Sequence, residues 1–259
     1  MYIWAADTHL NTSVIGAVGV GTYWRRYYPS AKGLILTGDI SNASLIKQKL
    51  QGLEIGLQKP IYFVCGNHDY HGSSFDKLDN ELAFFKSRNV YYLPSHRYIQ
   101  INKHTVMIGN SGWYDAGYDS NVEAGMSDFD YIEDLKSDPI KASKKRSVFL
   151  ANKIEVAMRC VKKFVKDVKN VIIVNHVPAC EYLAKLGDHP AFYGSLAMEK
   201  AIVKESVNFD KVIVLSGHTH FPGVYINNNI SFYSGEAKRG CPVIAGLFDE
   251  DTFTITSLY

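Results

Sequence analysis

Aspartate, asparagine and histidine recur in this chain at five short places: Asp7-Thr8-His9, Gly38-Asp39, Gly66-Asn67-His68-Asp69, Asn175-His176 and Gly217-His218-Thr219-His220. Imidazole nitrogens with carboxylate or amide oxygens suit divalent Mn, Fe, Zn or Ni, and no clustered cysteines offer an iron–sulfur or structural zinc site instead. Seven of these residues, Asp7, His9, Asp39, Asn67, His176, His218 and His220, are too many donors for one ion. They fit two ions that share one carboxylate. Such polar groups are costly in a packed core unless they find partners, so an apolar run that stops on Asn-His-Asp needs a reason beyond packing.

Each place ends a short apolar run: YIWAA (2–6), GLILT (33–37), PIYFVC (60–65), VIIV (171–174) and KVIVLS (211–216). Four to six continuous apolar residues describe strands covered on both faces. Loops beyond the carboxyl ends of such strands form the ligand crevice of an α/β sheet, so the five endings are expected to converge. The i, i+2 spacing of Asp7 with His9, and of His218 with His220, predicts each pair on one side of extended backbone, about 6–7 Å apart. Gly38, Gly66 and Gly217, each just before a donor, suit a positive φ or a close approach of another backbone.

Between the strands lie helical spacings at 44–57, 74–87, 147–169 and 195–206; in the third, Ile154, Met158, Val161, Val165 and Val168 repeat at three and four. Antiparallel pairing is predicted for a meander over 90–109, for VYINNNISFYS (224–234) and for FTITSLY (253–259). The economical reading is two partly antiparallel sheets in one domain spanning 1–259. The polar stretch 113–146 reads as an excursion over one face, with a helix at 119–136.

The five blocks, in order, resemble the calcineurin-like metallophosphoesterase superfamily, whose signature is D-x-H, G-D, G-N-H-[DE], a later His, and G-H-x-H. Gly-Asn-His-Asp alone arises by chance at about a few positions per million. The resemblance implies a four-layer α/β/β/α sandwich with two mixed sheets. It also implies two divalent transition-metal ions, manganese first, with Asp7, His9, Asp39 and His220 on one, Asp39, Asn67, His176 and His218 on the other, and Asp39 as the bridge. The implied reaction is hydrolysis of a phosphomonoester or phosphodiester by attack of a metal-bridging hydroxide, with His68 as the general acid and Asp69 orienting its loop. Two alternatives stand beside it: a catalytically silent metal-binding or protein-interaction module of the same fold, and a nuclease or cyclic-nucleotide phosphodiesterase. The second block departs from the G-D-x-x-D-R of the protein phosphatases, because Asn42 and Ala43 stand where that pattern has Asp and Arg. A protein substrate is thereby disfavoured, and what orients His68 is left open.

The remaining features bound the partners. Asn67, His68, Trp113 and Tyr114 are candidates for substrate contact, the two aromatics by stacking, with packing as the competing role. His71 and His189 read as exposed rim residues, His96 and His104 as bystanders, and KASKKR (141–146) as a solvated helix face. With 28 Lys plus Arg against 26 Asp plus Glu, a net charge of +2 builds no field that demands nucleic acid or an anionic membrane. A small-molecule or nucleotide phosphate ester is the expected substrate, with nucleic acid left open. The start MYIWAAD lacks a basic and then apolar leader, no run reaches membrane length, and the four cysteines are scattered, so a cytoplasmic protein without disulfides is expected.

Overall fold

The computed structural model describes residues 1–123, 125–238 and 240–258. In chain order the strands and helices are β1 (Tyr2–Ala5), α1 (Gly16–Tyr27), β2 (Leu34–Thr37), α2 (Ile46–Leu57), β3 (Ile61–Val64), α3 (Phe75–Ala83), β4 (Val90–Tyr92), β5 (Ile99–Gln100), β6 (Thr105–Gly109), α4 (Asp128–Tyr131), α5 (Pro139–Phe164), β7 (Asn170–Val174), α6 (Glu181–Ala184), α7 (Pro190–Tyr193), α8 (Leu196–Ser206), β8 (Lys211–Ser216), β9 (Gly223–Asn227), β10 (Ile230–Ser234), β11 (Gly246–Asp249) and β12 (Thr254–Ser257). They form two mixed six-stranded sheets, ordered β12-β11-β1-β2-β3-β4 and β5-β6-β7-β8-β10-β9. The α/β sandwich expected from the sequence is the observed fold.

Strand alternation builds the four layers. Tyr2, Trp4, Ile35 and Val64 of the first sheet share a core with Met107, Ile172, Val174, Ile213 and Leu215 of the second. Their neighbours Ile3, Ala5, Leu34 and Leu36, and likewise Val171, Ile173, Val212 and Val214, belong instead to the larger apolar cluster with the helices. Both faces of every central strand are therefore apolar, which is why those strands read as continuous runs. In α5, Leu150, Ile154, Met158 and Val161 are buried at spacings of three and four, and Asp138 accepts a bond from the Lys141 N–H to cap the start.

The structure corrects several expectations. The 90–109 segment is not one meander: β4 pairs parallel to β3 in the first sheet, while β6 pairs parallel to β7 in the second. Only β5 and β6 are antiparallel there. The turn Leu93–Ser95 carries Pro94, which cannot donate to a ladder, and the chain crosses between sheets after it. The helix expected at 119–136 reduces to α4 and a single 3₁₀ turn at Glu133–Leu135. Asp119 and Asn121 side chains take the N–H groups of Asn121 and Glu123, turning the backbone away from a helix. Helix α5 starts earlier and stops at Phe164, before Asp167 adopts φ +58° and Lys169 bonds back to the His104 carbonyl. The hairpin β9–β10 and the antiparallel β11–β12 edge are as expected. Among the described residues no helix is long and apolar enough to cross a membrane.

Candidate active site

The carboxyl ends of β1, β2 and β3 in one sheet, and of β7 and β8 in the other, meet at one edge of the sandwich. Backbone bonds continue past the strands there: His9 N donates to Asp39 O at 2.8 Å, Leu10 N to Ile40 O at 2.7 Å, and Gly217 N to His176 O at 2.9 Å. These contacts join the β1 loop to the β2 loop and the β7 loop to the β8 loop, and His218 N, donating to the Asp7 carboxylate at 3.0 Å, ties the two pairs into one wall.

Donor atoms of Asp7, His9, Asp39 and His220 lie within 4.8 Å of one another. The remaining donors form an adjoining group. Asn67 Oδ1 is 2.9 Å from both His176 Nε2 and His218 Nδ1, and His176 Nε2 is 3.5 Å from Asp39 Oδ1. Asp39 thus stands in both groups, and all seven donors of the sequence reading are brought together.

The pairs Asp7/His9 and His218/His220 do not sit on extended backbone as expected. Asp7, His9, Asp39, His218 and His220 all have left-handed φ, between +39° and +69°. Such a conformation costs about 1–3 kcal/mol per non-glycine residue, and it persists where the surroundings over-determine it. Here it turns Asp7, His9 and His220 into the first group and His218 into the second, with Asp39 between them. Glycine serves by leaving room: a Cβ on Gly66 would lie 2.1 Å from Asp39 Oδ1, and one on Gly217 would lie 2.2 Å from Asp7 Oδ2.

Electrostatics follow from burial and crowding. Asp7, Asp39, Asn67 and His176 are 1–2% exposed. Desolvation alone would raise the Asp39 pKa, but His176, His68, His9 and His218 around it hold it below the usual carboxylate range. Burial, with a smaller push from His176, lowers His218 to about 4, so its ring is neutral at pH 7 and able to donate a lone pair. Burial likewise lowers His9. Asp69 accepts bonds from Ile40 N, Ser41 N and Gly66 N at 2.7–3.0 Å, which ties the β3 loop to the β2 loop. Burial and the Asp39 charge push its own pKa up in spite of those bonds.

His68 starts a 3₁₀ turn, Asn67 being its N-cap, and its side chain is 35% exposed, with its N–H on Asp39 Oδ1 at 2.9 Å. Its ring packs on His9 at 5.1 Å and on His71 at 4.6 Å. His68, His9, Asn11, Ser41, Asn42, Ser44, His71 and Tyr131 line a cavity of about 400 Å³ open to solvent.

Other expectations fare differently. His71 is not an exposed rim residue: Nε2 lies 2.7 Å from Asp128 Oδ1 and the side chain is 15% exposed. Sequence reasoning missed this pair, since Asp128 is 57 residues away in a polar segment without a motif. Trp113 and Tyr114 are each 1% exposed; Trp113 packs on Tyr70 and Phe75, Tyr114 on Phe192 and His218. Enclosed on this scale, both rings pack and offer no face to a substrate. His189 is exposed.

The family model described as calcineurin-like phosphoesterase matches residues 4–222. Among solved structures the fold resembles a phosphopantetheinyl hydrolase from Mycobacterium tuberculosis, at 15% identity and TM-score 0.66 over 92% of this chain and 89% of that one. It also resembles a putative 5'-nucleotidase from Staphylococcus aureus, at 11% identity and TM-score 0.54 over 99% of this chain and 52% of that one, so the chain spans about half of that protein. A third likeness, to GAP50, the anchor in the inner membrane complex of Plasmodium, has 11% identity and TM-score 0.50 over 90% of this chain and 70% of that one. These identities speak for the fold alone. Comparison with curated proteins gives no significant match.

Proposed function

The chain belongs to the calcineurin-like phosphoesterase family, and from that premise we propose a dinuclear metal-dependent phosphoesterase that hydrolyses a phosphomonoester or phosphodiester of a small polar alcohol or nucleotide. The observation that carries this reading is the convergence of seven N and O donors beside a one-third-exposed His68 that lines an open cavity.

The donor set fits a pair of divalent ions. His9 Nε2 is buried without a hydrogen-bond partner among the described residues, an expensive state that a cation relieves. On the other side, His176 Nδ1 is 2.7 Å from Thr37 O and His218 Nε2 is 2.8 Å from Phe192 O, so each ring turns its second nitrogen inward. Asp7, His9, Asp39 and His220 would hold one ion, and Asp39, Asn67, His176 and His218 the other. Mn²⁺ is the first choice for this N/O set, ahead of Fe, Zn or Ni. Bound there, the ions supply charge neutralisation at the phosphoryl oxygens and activation of water.

The chain itself positions and protonates. Asn67 contributes a neutral oxygen and adds no negative charge opposite a phosphate. His68, at the boundary between the donors and the cavity, delivers a proton to the departing ester oxygen. Asn11, Ser41, Asn42 and Ser44 offer neutral hydrogen-bonding groups along the cavity, which suits a hydroxyl-rich leaving group. Four free cysteines support a cytoplasmic setting.

The test is hydrolysis of p-nitrophenyl phosphate and bis(p-nitrophenyl) phosphate with added Mn²⁺, followed by mononucleotides, cyclic nucleotides and single-stranded DNA. Metal-dependent turnover of a mono- or diester supports the reading. Tight metal binding with no turnover of any of them leaves a silent metal-holding module, and cleavage restricted to the DNA leaves a nuclease.

A further inference from the structure

Asp128 is a carboxylate with 0% exposure that belongs to none of the donor groups. Burying a carboxylate is costly unless hydrogen bonds replace its water, and three groups do so. Asn67 Nδ2 donates to Oδ1 at 3.0 Å, His71 Nε2 lies 2.7 Å from the same Oδ1, and Tyr114 OH donates to Oδ2 at 3.0 Å. Burial would raise its pKa, yet the bonds from His71 and Asn67 hold it below the ordinary value.

The consequence lies in what those partners do next. Asn67 has two faces: with Nδ2 fixed on Asp128, its Oδ1 must point the other way, where it meets His176 and His218. His71 has one flat ring whose orientation Asp128 sets, and against that ring His68 packs at 4.6 Å with 40° between the planes. The Tyr114 ring lies parallel to His218, 13° between planes at 6.1 Å. Asp128 itself is fixed by backbone: Gly72 N donates to Tyr131 O at 2.9 Å and Glu133 N to Ser73 O at 3.1 Å, which clips α4 and the turn after it to the loop that carries His68 and His71. The His71 carbonyl also accepts a bond from Ala43 N at 3.3 Å, placing His71 beside the position where the second motif block lacks a charged side chain.

We propose that Asp128 and His71 are the positioning residues of this site: Asp128 fixes the amide of Asn67 toward the metal-facing histidines, and through His71 it fixes the ring of His68. This rests on the phosphoesterase reading for His68 and on metal binding alone for Asn67, so the two limbs are measured separately. Neither residue touches the reacting atoms.

The experiment is a calorimetric Mn²⁺ titration together with steady-state kinetics on p-nitrophenyl phosphate and an alkyl phosphate. Asp128→Ala lowers Mn²⁺ affinity about 10–100-fold, the usual loss when a partner behind a ligand is removed. Asp128→Asn keeps an acceptor for Asn67 and His71 and recovers most of that affinity. His71→Ala, at a partly exposed position, leaves the Mn²⁺ titration as in wild type and lowers kcat on the alkyl phosphate more than on the nitrophenyl ester, with KM little changed. Wild-type affinity in a folded Asp128→Ala protein overturns the Asn67 limb. Equal losses in Asp128→Asn and Asp128→Ala replace positioning by charge and overturn it too. Unchanged kinetics of His71→Ala on both esters overturn the His68 limb. If Asp128→Ala fails to fold, Asp128→Ser, whose shorter side chain withdraws the acceptor from Asn67, takes its place beside Asp128→Asn: wild-type Mn²⁺ affinity in Asp128→Ser, or equal losses in Asp128→Ser and Asp128→Asn, overturns the Asn67 limb. If the wild type binds Mn²⁺ but cleaves no ester, the functional reading and the His68 limb fall while the Asn67 limb is still decided by the titration; no Mn²⁺ binding at all overturns both.

Discussion

Asn67, His176 and His218 are held from behind by Asp128, Thr37 O and Phe192 O, which turns His176 Nε2 and His218 Nδ1 toward Asn67 Oδ1 at 2.9 Å. Across Asp39 the arrangement is looser: His9 Nε2 has no hydrogen-bond partner among the described residues, with Asp39 Oδ2 3.9 Å away, and the His220 side chain is 36% exposed at the open edge. One half of the proposed centre has its shape before an ion arrives. The other half is completed by the ion, so the two should differ in how tightly and how slowly they exchange metal.

The largest effect removes what the halves share. Asp39→Asn is expected to lower affinity at both by about 100-fold or more, since even an outer-shell partner is worth 10–100-fold, and turnover goes with it; elemental analysis after gel filtration checks this, and two retained ions would remove Asp39 from its shared role. Next, His68→Ala should keep both ions and lose about 10²–10⁴ in kcat on an alkyl phosphate, the range of a general acid. Wild-type rates on that substrate would take the proton transfer away from His68. Third, a chelator should strip metal in two phases, and His220→Ala should erase the faster one while His176→Ala erases the slower. A single phase in wild type would mean that the two halves are equivalent.

Smaller effects probe the protein without metal. With His218 lowered to about 4 in the fold against about 6.5 unfolded, the unfolded chain binds more protons between those values. Stability of the metal-free protein is then complete above pH 6.5 and falls by roughly 3 kcal/mol as pH drops through 4. Thermal melts across pH 4–7 measure it, and a flat profile would contradict the buried neutral ring. Last, Cys241, exposed in the segment between β10 and β11, should react with Ellman's reagent at once, and half-buried Cys160 more slowly. Cys65, just before Gly66, is buried with its pKa well above normal, and burial pushes Cys180 up to about 12, so both should react only on unfolding.

The sequence carried the strands and their endings because both signals are local: a run apolar on both faces has one economical use, and donors placed at its end can only sit at the sheet's edge. It did not carry the division of 90–109 between two sheets, since β4 and β6 find their partners through long-range pairing that no local period encodes. Helix α1 left no reading either; its buried Ala17, Val20, Gly21 and Trp24 include small residues that mark a face only once α2 lies against it.

For the site, residue type and order within five motifs singled out the seven residues that the structure brings together, because the chemistry of a side chain is its own property. Their approach was the work of the tertiary structure. Left-handed backbone at Asp7, His9, Asp39, His218 and His220 is unfavourable for an isolated segment and is sustained by the loops packed around it. Likewise Asp128 is an ordinary acidic residue in the chain and becomes a partner of Asn67 and His71 only when a distant loop closes over them and excludes water. Chemistry was written in single residues; orientation came from contacts whose enthalpy appears only after the chain has paid the entropy of bringing remote segments together.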